Sequence, residues 1–352
     1  MRIFIYELRI FIYEYVSGGG LSGEPLPARM AREGLLMLQA ILEDFLFLRR
    51  HEIRSTIDAR LRTAVPTHLP VTLVDQKRHA DVFAAFLDWA EAVLLIAPET
   101  DGVLAYLCAQ VEGEGKFLLG STSKAVVAAA DKATTDSRFR ASGIPTARTR
   151  VIPFDDEPTR HVATFGYPAV VKPVDGAGGE GVFVVHRPAE TSAALRRLRR
   201  VTRHQTFLCQ QYIAGIPASL SCLSDGGCVL PLTLNTQYIH MDNGLIYRGG
   251  TIDIDHPSRS AAFGMAKDLH DALPGLRGYF GVDLVLSRSG PVFIEVNPRL
   301  TTSYIGLRRA FSTNLAGAIL TSALGQLPTL PTPRGPTRFF VDRRRRTSRA
   351  KG

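Results

Sequence analysis

The sequence predicts an α/β domain followed by an α+β region, and three observations carry that prediction. Over the first 120 residues, short apolar segments alternate with stretches of helical periodicity, the pattern of a parallel sheet covered on both faces. From Pro217 onward the strand-like segments lengthen and helices interrupt them less, as in an antiparallel sheet. At 352 residues the chain exceeds one ordinary core and fits two or three packed domains.

The opening holds an exact repeat: Arg2-Ile3-Phe4-Ile5-Tyr6-Glu7 recurs as Arg9-Ile10-Phe11-Ile12-Tyr13-Glu14. Two copies cannot fill one sheet position. The second runs straight into Ser17-Gly18-Gly19-Gly20 and is the expected first strand. Helical periodicity follows over Ala28 to Leu48, Gln76 to Trp89 and Asp101 to Val111, with strands at Val71 to Val74 and Ala92 to Ala97. Ser121 is the expected cap of a helix over Lys124 to Lys132. A second helix stops at Gly143, with Pro145 beyond it. Strands at Pro168 to Val174 and Val182 to His186 flank a glycine-rich turn; a helix over Ala189 to Arg200 and a strand at Thr206 to Gln211 follow. The longer strands are Ser219 to Leu223, Leu230 to Ile239, Tyr279 to Leu286 and Pro291 to Val296, with Ser289-Gly290 turning the last pair into a hairpin. These signals divide the chain at 1–120, 121–212 and 213–330, with a tail at 331–352.

Composition is that of a globular protein, 45% hydrophobic and 21% charged, without an apolar run long enough to span a bilayer. The net charge of +9 is uneven: Arg343 to Gly352 holds six basic residues and no acid. The tail reads as a solvated end, and the lack of interleaved aromatics argues against a nucleic-acid partner. Cys108, Cys209, Cys222 and Cys228 form no CxxC pair and cluster with no histidine, which speaks against zinc or disulfides and for a reducing cytoplasm.

The chemistry concentrates in two places. Asp175-Gly176-Ala177-Gly178-Gly179-Glu180-Gly181 satisfies GxGxxG through Gly176, Gly178 and Gly181. A dinucleotide fold needs a helix directly afterwards, but Val182-Phe183-Val184-Val185 reads as a strand. The loop is therefore a hairpin flap whose N–H groups can close over phosphate oxygens. Lys172, in Val170-Val171-Lys172-Pro173, is a charge on an otherwise apolar strand and needs an anion, for which a nucleotide phosphate is the natural partner. Lys132 offers a second cation. Asp283 and Glu295 sit on two apolar strands joined by the hairpin, so they can be cross-strand neighbours. Such carboxylates repel unless a cation lies between them; with the Asn297 oxygen they form a hard donor set suited to magnesium. Arg299 follows two residues on.

Motifs of these kinds in this order resemble the ATP-grasp superfamily from about Ser121 to Ala323. The resemblance implies an ATP-grasp fold behind an N-terminal pre-ATP-grasp α/β domain. It makes Lys132 and Lys172 the nucleotide-binding lysines and Gly176, Gly178, Gly179 and Gly181 the phosphate flap. Gln210, Gln211, Tyr212 and Ile213 become the adenine hinge, Asp283, Glu295 and Asn297 the metal ligands, and Arg299 together with Lys172 the catalytic cations. The cofactors implied are ATP and Mg2+, with Mn2+ as an alternative ion. One departure is Gly215-Ile216-Pro217, where many members carry a ribose-binding glutamate.

Ala97-Pro98-Glu99-Thr100, Leu234-Asn235-Thr236-Gln237, Tyr247-Arg248-Gly249-Gly250 and Asn297 to Tyr304 further resemble the tyramine–L-glutamate ligases of methanofuran-type cofactor synthesis. Asn235 and Gln237 fall where those proteins place polar groups near the phosphates. The implied activity is a cytoplasmic ligase joining a small-molecule carboxylate to an amine through an acyl phosphate, with no membrane partner; a homodimer stays open as its assembly. A D-amino-acid ligase and a non-catalytic nucleotide-binding regulator are the alternatives. Arg248, Arg308 and Arg309 are candidates for a substrate carboxylate, Tyr304 and Thr301 to Ser303 for the acceptor, and His240 or His256 for the proton acceptor.

Overall fold

A computed structural model describes residues 7–176, 178–241 and 244–342. Its first sheet is built from β1 (Arg9–Glu14), β2 (Glu52–Asp58), β3 (Val71–Val74), β4 (Ala92–Ile96) and β5 (Phe117–Leu118), all parallel, in the order β3-β2-β1-β4-β5. The second copy of the repeat is β1; the first lies outside the described residues apart from Glu7. Helices α1 (Ala28–Phe47), α2 (His79–Trp89) and α3 (Val103–Gly113) connect the strands. The apolar stripe of α1 buries Leu38, Ile41, Leu42 and Phe45 against one sheet face, while α2 and α3 cover Phe11, Tyr13 and Val93 on the other. Sequence reading missed β2, and the reason is visible. Its buried positions are Ile53 and Ile57 together with the polar Ser55, Thr56 and Asp58, so no continuous apolar run marks it. The polar groups are satisfied inside: Thr56 Oγ1 donates to the Gly18 carbonyl at 2.7 Å.

Two helices lead to the second sheet, α4 (Ser123–Ala130) and α5 (Lys132–Ala141). Here the structure corrects two expectations. Thr122, not Ser121, caps α4, accepting from Ala125 N; Ser121 Oγ faces the Arg277 backbone instead. Lys132 does not end a helix but begins one, because Asp131 leaves helical geometry and caps α5 through Thr134 N at 2.9 Å. The second sheet is antiparallel, β6-β9-β7-β8, from β6 (Thr149–Pro153), β7 (Ala169–Lys172), β8 (Phe183–Val185) and β9 (Thr206–Gln211). Helices α6 (Pro158–Phe165) and α7 (Pro188–Val201) back it.

The third sheet is antiparallel with the order β14-β13-β10-β11-β12-β15. Its strands are β10 (Ile216–Ser224), β11 (Val229–Met241), β12 (Leu245–Ile252), β13 (Gly278–Ser287), β14 (Gly290–Asn297) and β15 (Thr337–Phe340). Helix α8 (Arg259–Ala272) packs on one face; α9 (Tyr304–Ala310) and α10 (Leu315–Ala323) pack on the other and also against α1. Gly249 and Gly250 disguise β12 as a turn. At Gly249 (φ +130°) a Cβ would lie 2.2 Å from the Phe339 carbonyl oxygen, and at Gly250 2.2 Å from that of Thr236, so close backbone approach demands glycine there. The expected tail at 331–352 is also corrected, since β15 joins this sheet and Asp342 pairs with Arg32 and Arg248. The arginine-rich stretch 343–352 lies outside the described residues. Among the described residues no helix is long and apolar enough to cross a membrane.

The first and third sheets are tied through a buried acid. Asp44 of α1, 8% exposed, accepts from the Tyr304 hydroxyl at 2.6 Å and from the Arg308 guanidinium at 2.6 and 3.0 Å. These contacts remove Tyr304 and Arg308 from the list of substrate-binding candidates. Arg308→Ala leaves a buried carboxylate short of its charge partner. It should cost roughly 1–3 kcal/mol of stability, read as a lowered Tm, with the KM of every substrate unchanged; a raised KM at unchanged Tm would return Arg308 to the site.

Candidate active site

The three sheets converge on a cavity of about 780 Å³, within the range of small-molecule sites. Its middle is charged. In the β13–β14 ladder Asp283 stands directly opposite Glu295, and Gly281 opposite Asn297. Asn297 Nδ2 donates to Asp283 Oδ2 at 3.2 Å, and Gln237 Nε2 of β11 donates to Oδ1 at 2.8 Å. Burial, then the Glu295 charge, pushes the Asp283 carboxyl up to about 7. Burial acts on Glu295 in the same sense, but Lys132 and Lys172 outweigh it and hold that carboxyl below its usual value. Lys132 Nζ lies 3.1 Å from Glu295 Oε2 and also donates to the Gly176 carbonyl.

Lys172 ends β7, 4% exposed, with the Gln210 Oε1 as its hydrogen-bond partner at 2.9 Å. Burial, and then the Lys132 charge, lowers its ammonium to about 8. The acids Glu295, Asp136 and Asp283 act on this cation only from beyond ion-pair distance, and it faces the cavity. The donor set fits a nucleotide with a divalent cation: two in-register carboxylates and an amide oxygen for a hard ion, two lysines for phosphate. Ser219 Oγ, on the neighbouring β10 position opposite Asp283, is buried there without a hydrogen-bond partner.

The flap is the hairpin between β7 and β8, paired Ala169 to Val185 and Val171 to Phe183; Ala177 within it lies outside the described residues. Gly176, Gly178 and Gly179 line the cavity. Gly181 does not; a Cβ there would meet Val201 at 2.7 Å, so it packs the flap's root. Two cations hold the flap down. Lys132 takes Gly176, and Arg29 of α1 donates to the Gly178 carbonyl at 3.2 Å. At its start, Asp175 accepts from Asp101 N at 2.9 Å and lies 3.1 Å from His204 Nε2.

Gln210, Gln211, Tyr212 and Ile213 all line the cavity. The Gln210 side chain is committed to Lys172 and to Thr149 Oγ1, the latter at 3.0 Å. Ladder pairing stops at Gln211, so the main chain beyond it can meet the edge of a planar base. Val170, Val184 and Ile294 supply apolar walls nearby.

Arg299 lines the cavity and pairs with Glu99 at 2.9 Å, while its Nε and the Glu99 Oε1 stay buried without partners. Several candidates fall elsewhere. Asn235 is 1% exposed, bonded to Ser221 Oγ and Asp253 N. Arg248 pairs with Asp342 and Arg309 with the Arg338 carbonyl. His240 and His256 do not line the cavity, and neither does any cysteine. Burial raises the Cys108 and Cys209 thiols to about 12, so they are poor nucleophiles.

Thr301, Thr302 and Ser303 line the cavity. Sequence reading missed Glu14, Glu33 and Tyr247, which line the same end. A glutamate closing an apolar strand just before Ser17-Gly18-Gly19-Gly20 was the available signal for Glu14.

Residues 129–303 match the ATP-grasp domain and residues 51–126 the pre-ATP-grasp domain. The chain belongs to the ATP-grasp superfamily. This ATP-grasp protein is 26% identical over 319 residues to a tyramine–L-glutamate ligase of Methanocaldococcus jannaschii, the match covering 87% of either chain. It is 25% identical over 302 residues to a phosphoribosylamine–glycine ligase of Corynebacterium ammoniagenes, covering 78% of this chain and 70% of that one. An ATP-grasp superfamily structure from Archaeoglobus fulgidus superposes with a TM-score of 0.67 at 23% identity, covering 96% of this chain and 99% of the other; that likeness speaks for the fold. As an ATP-grasp ligase the chain is an ATP-dependent enzyme that forms a carbon–nitrogen bond.

Two outcomes follow for the nucleotide site. Lys172→Met removes a desolvated charge that is repelled by Lys132 and attracted by Glu295, so Tm should change little while ATP affinity falls at least about tenfold, the worth of one charged hydrogen bond. A thermal scan with and without ATP reads both; a lower Tm with intact ATP affinity contradicts the assignment. Gly179 sits at φ +76°, which proline cannot adopt. Gly179→Pro should therefore lower kcat by about tenfold or more, from loss of flap closure, with a smaller change in ATP affinity than Lys172→Met.

Proposed function

We propose that this ATP-grasp enzyme joins the γ-carboxylate of L-glutamate to an aromatic primary amine such as tyramine. The observation that carries the ligase chemistry is the single cavity holding in-register Asp283 and Glu295, two lysines and a glycine flap. The substrate choice rests on the likeness to the Methanocaldococcus protein and on the part of the cavity lined by Glu14, Glu33, Met30 and Met37, which combines acids with apolar walls.

In the proposed sequence the substrate carboxylate takes the γ-phosphoryl group of ATP, giving an acyl phosphate and ADP. The amine then attacks the acyl carbon, the C–O bond to phosphate breaks, and the amide is released. No protein nucleophile is needed. Lys172 and Lys132 hold phosphate oxygens, and Arg299, fixed by Glu99, faces the charge on the transferring group and the substrate carboxylate. Asp283, Glu295 and Asn297 would hold magnesium, or manganese in its place, which supplies charge neutralisation on the phosphoryl group. The flap excludes water, which would hydrolyse an acyl phosphate. The chemistry suits a small-molecule enzyme of a reducing cytoplasm.

ADP release should require L-glutamate and tyramine together, neither sufficing alone, and mass detection should find a γ-glutamyl amide. Turnover with D-alanine or other small amino acids but not with glutamate would move the enzyme to another ligase class. Glu295→Gln removes a charge from the proposed metal set and unpairs Lys132. Turnover should fall by at least about a thousandfold, the scale of losing a main electrostatic contact in a transition state, with Tm little changed. Wild-type-like ADP release in that variant would remove Glu295 from the site.

A further inference from the structure

The first sheet changes direction at β1. The chain runs from β1 outward through β2 to β3, then crosses to the other side of β1 as β4. In open parallel sheets the crevice beyond the strand carboxyl ends at such a switch point is a binding place. Here that crevice is the third end of the cavity. Glu14 closes β1, Ala97 and Pro98 follow β4, and both sides line it.

Glu14 is 3% exposed and meets no cation within ion-pair distance among the described residues. Both hydrogen bonds it accepts from Ser17, from N at 2.5 Å and Oγ at 2.6 Å, fall on Oε2. A carboxylate offers about four acceptor positions, so acceptor capacity remains even with the nearby Val16 N–H counted. Gly34 of α1 is pressed against the group: a Cβ there would lie 2.5 Å from the Glu14 Cδ. The helix thus gives up a side chain where the carboxylate stands. Val16, Met30, Met37 and Tyr247 line the same end, with Glu33 as a second acid. A buried acid set in apolar walls with an aromatic ring beside it is complementary to a cation on an apolar body.

We infer that this crevice is the acceptor subsite, and that the Glu14 carboxylate, oriented by Ser17, grips the primary ammonium of an aromatic amine. The inference deepens the ligase reading and rests on it for the order of events, but binding can be measured without turnover. The α-ammonium of the acyl donor has the same chemistry, so the test separates the two.

Binding of tyramine, phenethylamine and 4-ethylphenol, which keeps the ring and lacks the amine, is measured by ligand-observed NMR on the full chain with ADP present. Wild type should bind both amines at least about tenfold more tightly than 4-ethylphenol. Glu14→Gln should erase that preference and leave the thermal shift by ADP unchanged. Ser17→Ala should reduce the preference only in part. In steady-state assays Glu14→Gln should raise the KM for the amine and not that for L-glutamate. An unchanged amine preference in Glu14→Gln, a wild type that prefers neither amine to 4-ethylphenol, or a rise confined to the KM for L-glutamate overturns the subsite. Glu14-dependent amine binding without ADP release from L-glutamate would keep the subsite and sink the proposed reaction.

Discussion

Asp283 and Glu295 face each other across adjacent strands, both withdrawn from water, and the surrounding architecture answers that repulsion. Alone, the pair is unfavourable: one carboxyl is driven up to about 7, while the other is held below its usual value chiefly by Lys132 and Lys172. Those lysines come from different elements. Lys132 is placed by the Asp131 cap that starts α5, and Lys172 by the register of β7 against β9. The charges therefore depend on the second sheet being docked over the third. A divalent ion and a polyphosphate complete such an arrangement better than any rearrangement of side chains can, since both excess signs find partners at once.

The same logic decides what the sequence made legible. Lys172, Asp283 and Glu295 are charges in apolar strands, and their cost can be read without a structure. The hairpin nature of the glycine loop was also readable, because Val182 to Val185 cannot start a helix-bound pyrophosphate site. Glu14 carries the same signature at the end of an apolar strand, yet its meaning depends on where the parallel sheet reverses. That is a property of topology and is invisible until β2 and β4 are placed on either side of β1. Strand β2 itself was unreadable because buried Ile53 and Ile57 are separated by Arg54, Ser55 and Thr56, and the buried Ser55, Thr56 and Asp58 break any apolar pattern.

Proximity in sequence misled in the opposite direction. Tyr304, Arg308 and Arg309 follow β14 closely, but α9 begins at Tyr304 and turns its buried face toward α1. There the tyrosine and Arg308 neutralise Asp44 in the joint between the first and third sheets. Among the aromatic rings that do line the cavity, Tyr247 comes from β12, whose two glycines let the strand pass close to its neighbours. Side-chain direction, not distance along the chain, separates the structural tyrosine from the cavity one.

Helix α1 binds these parts into one mechanical unit. One turn carries Arg29, which clasps the Gly178 carbonyl of the flap and pairs with Glu33 at 3.0 Å. Glu33 lines the crevice beside Glu14, and Gly34 of the same helix packs on the Glu14 carboxyl. Further along, Asp44 anchors the helix to α9. A rigid helix of 20 residues cannot move at one of these points without moving at the others. The arginine that reaches the flap and an acid that lines the cavity are thus one ion pair on one helix, one residue from the Gly34 contact with Glu14.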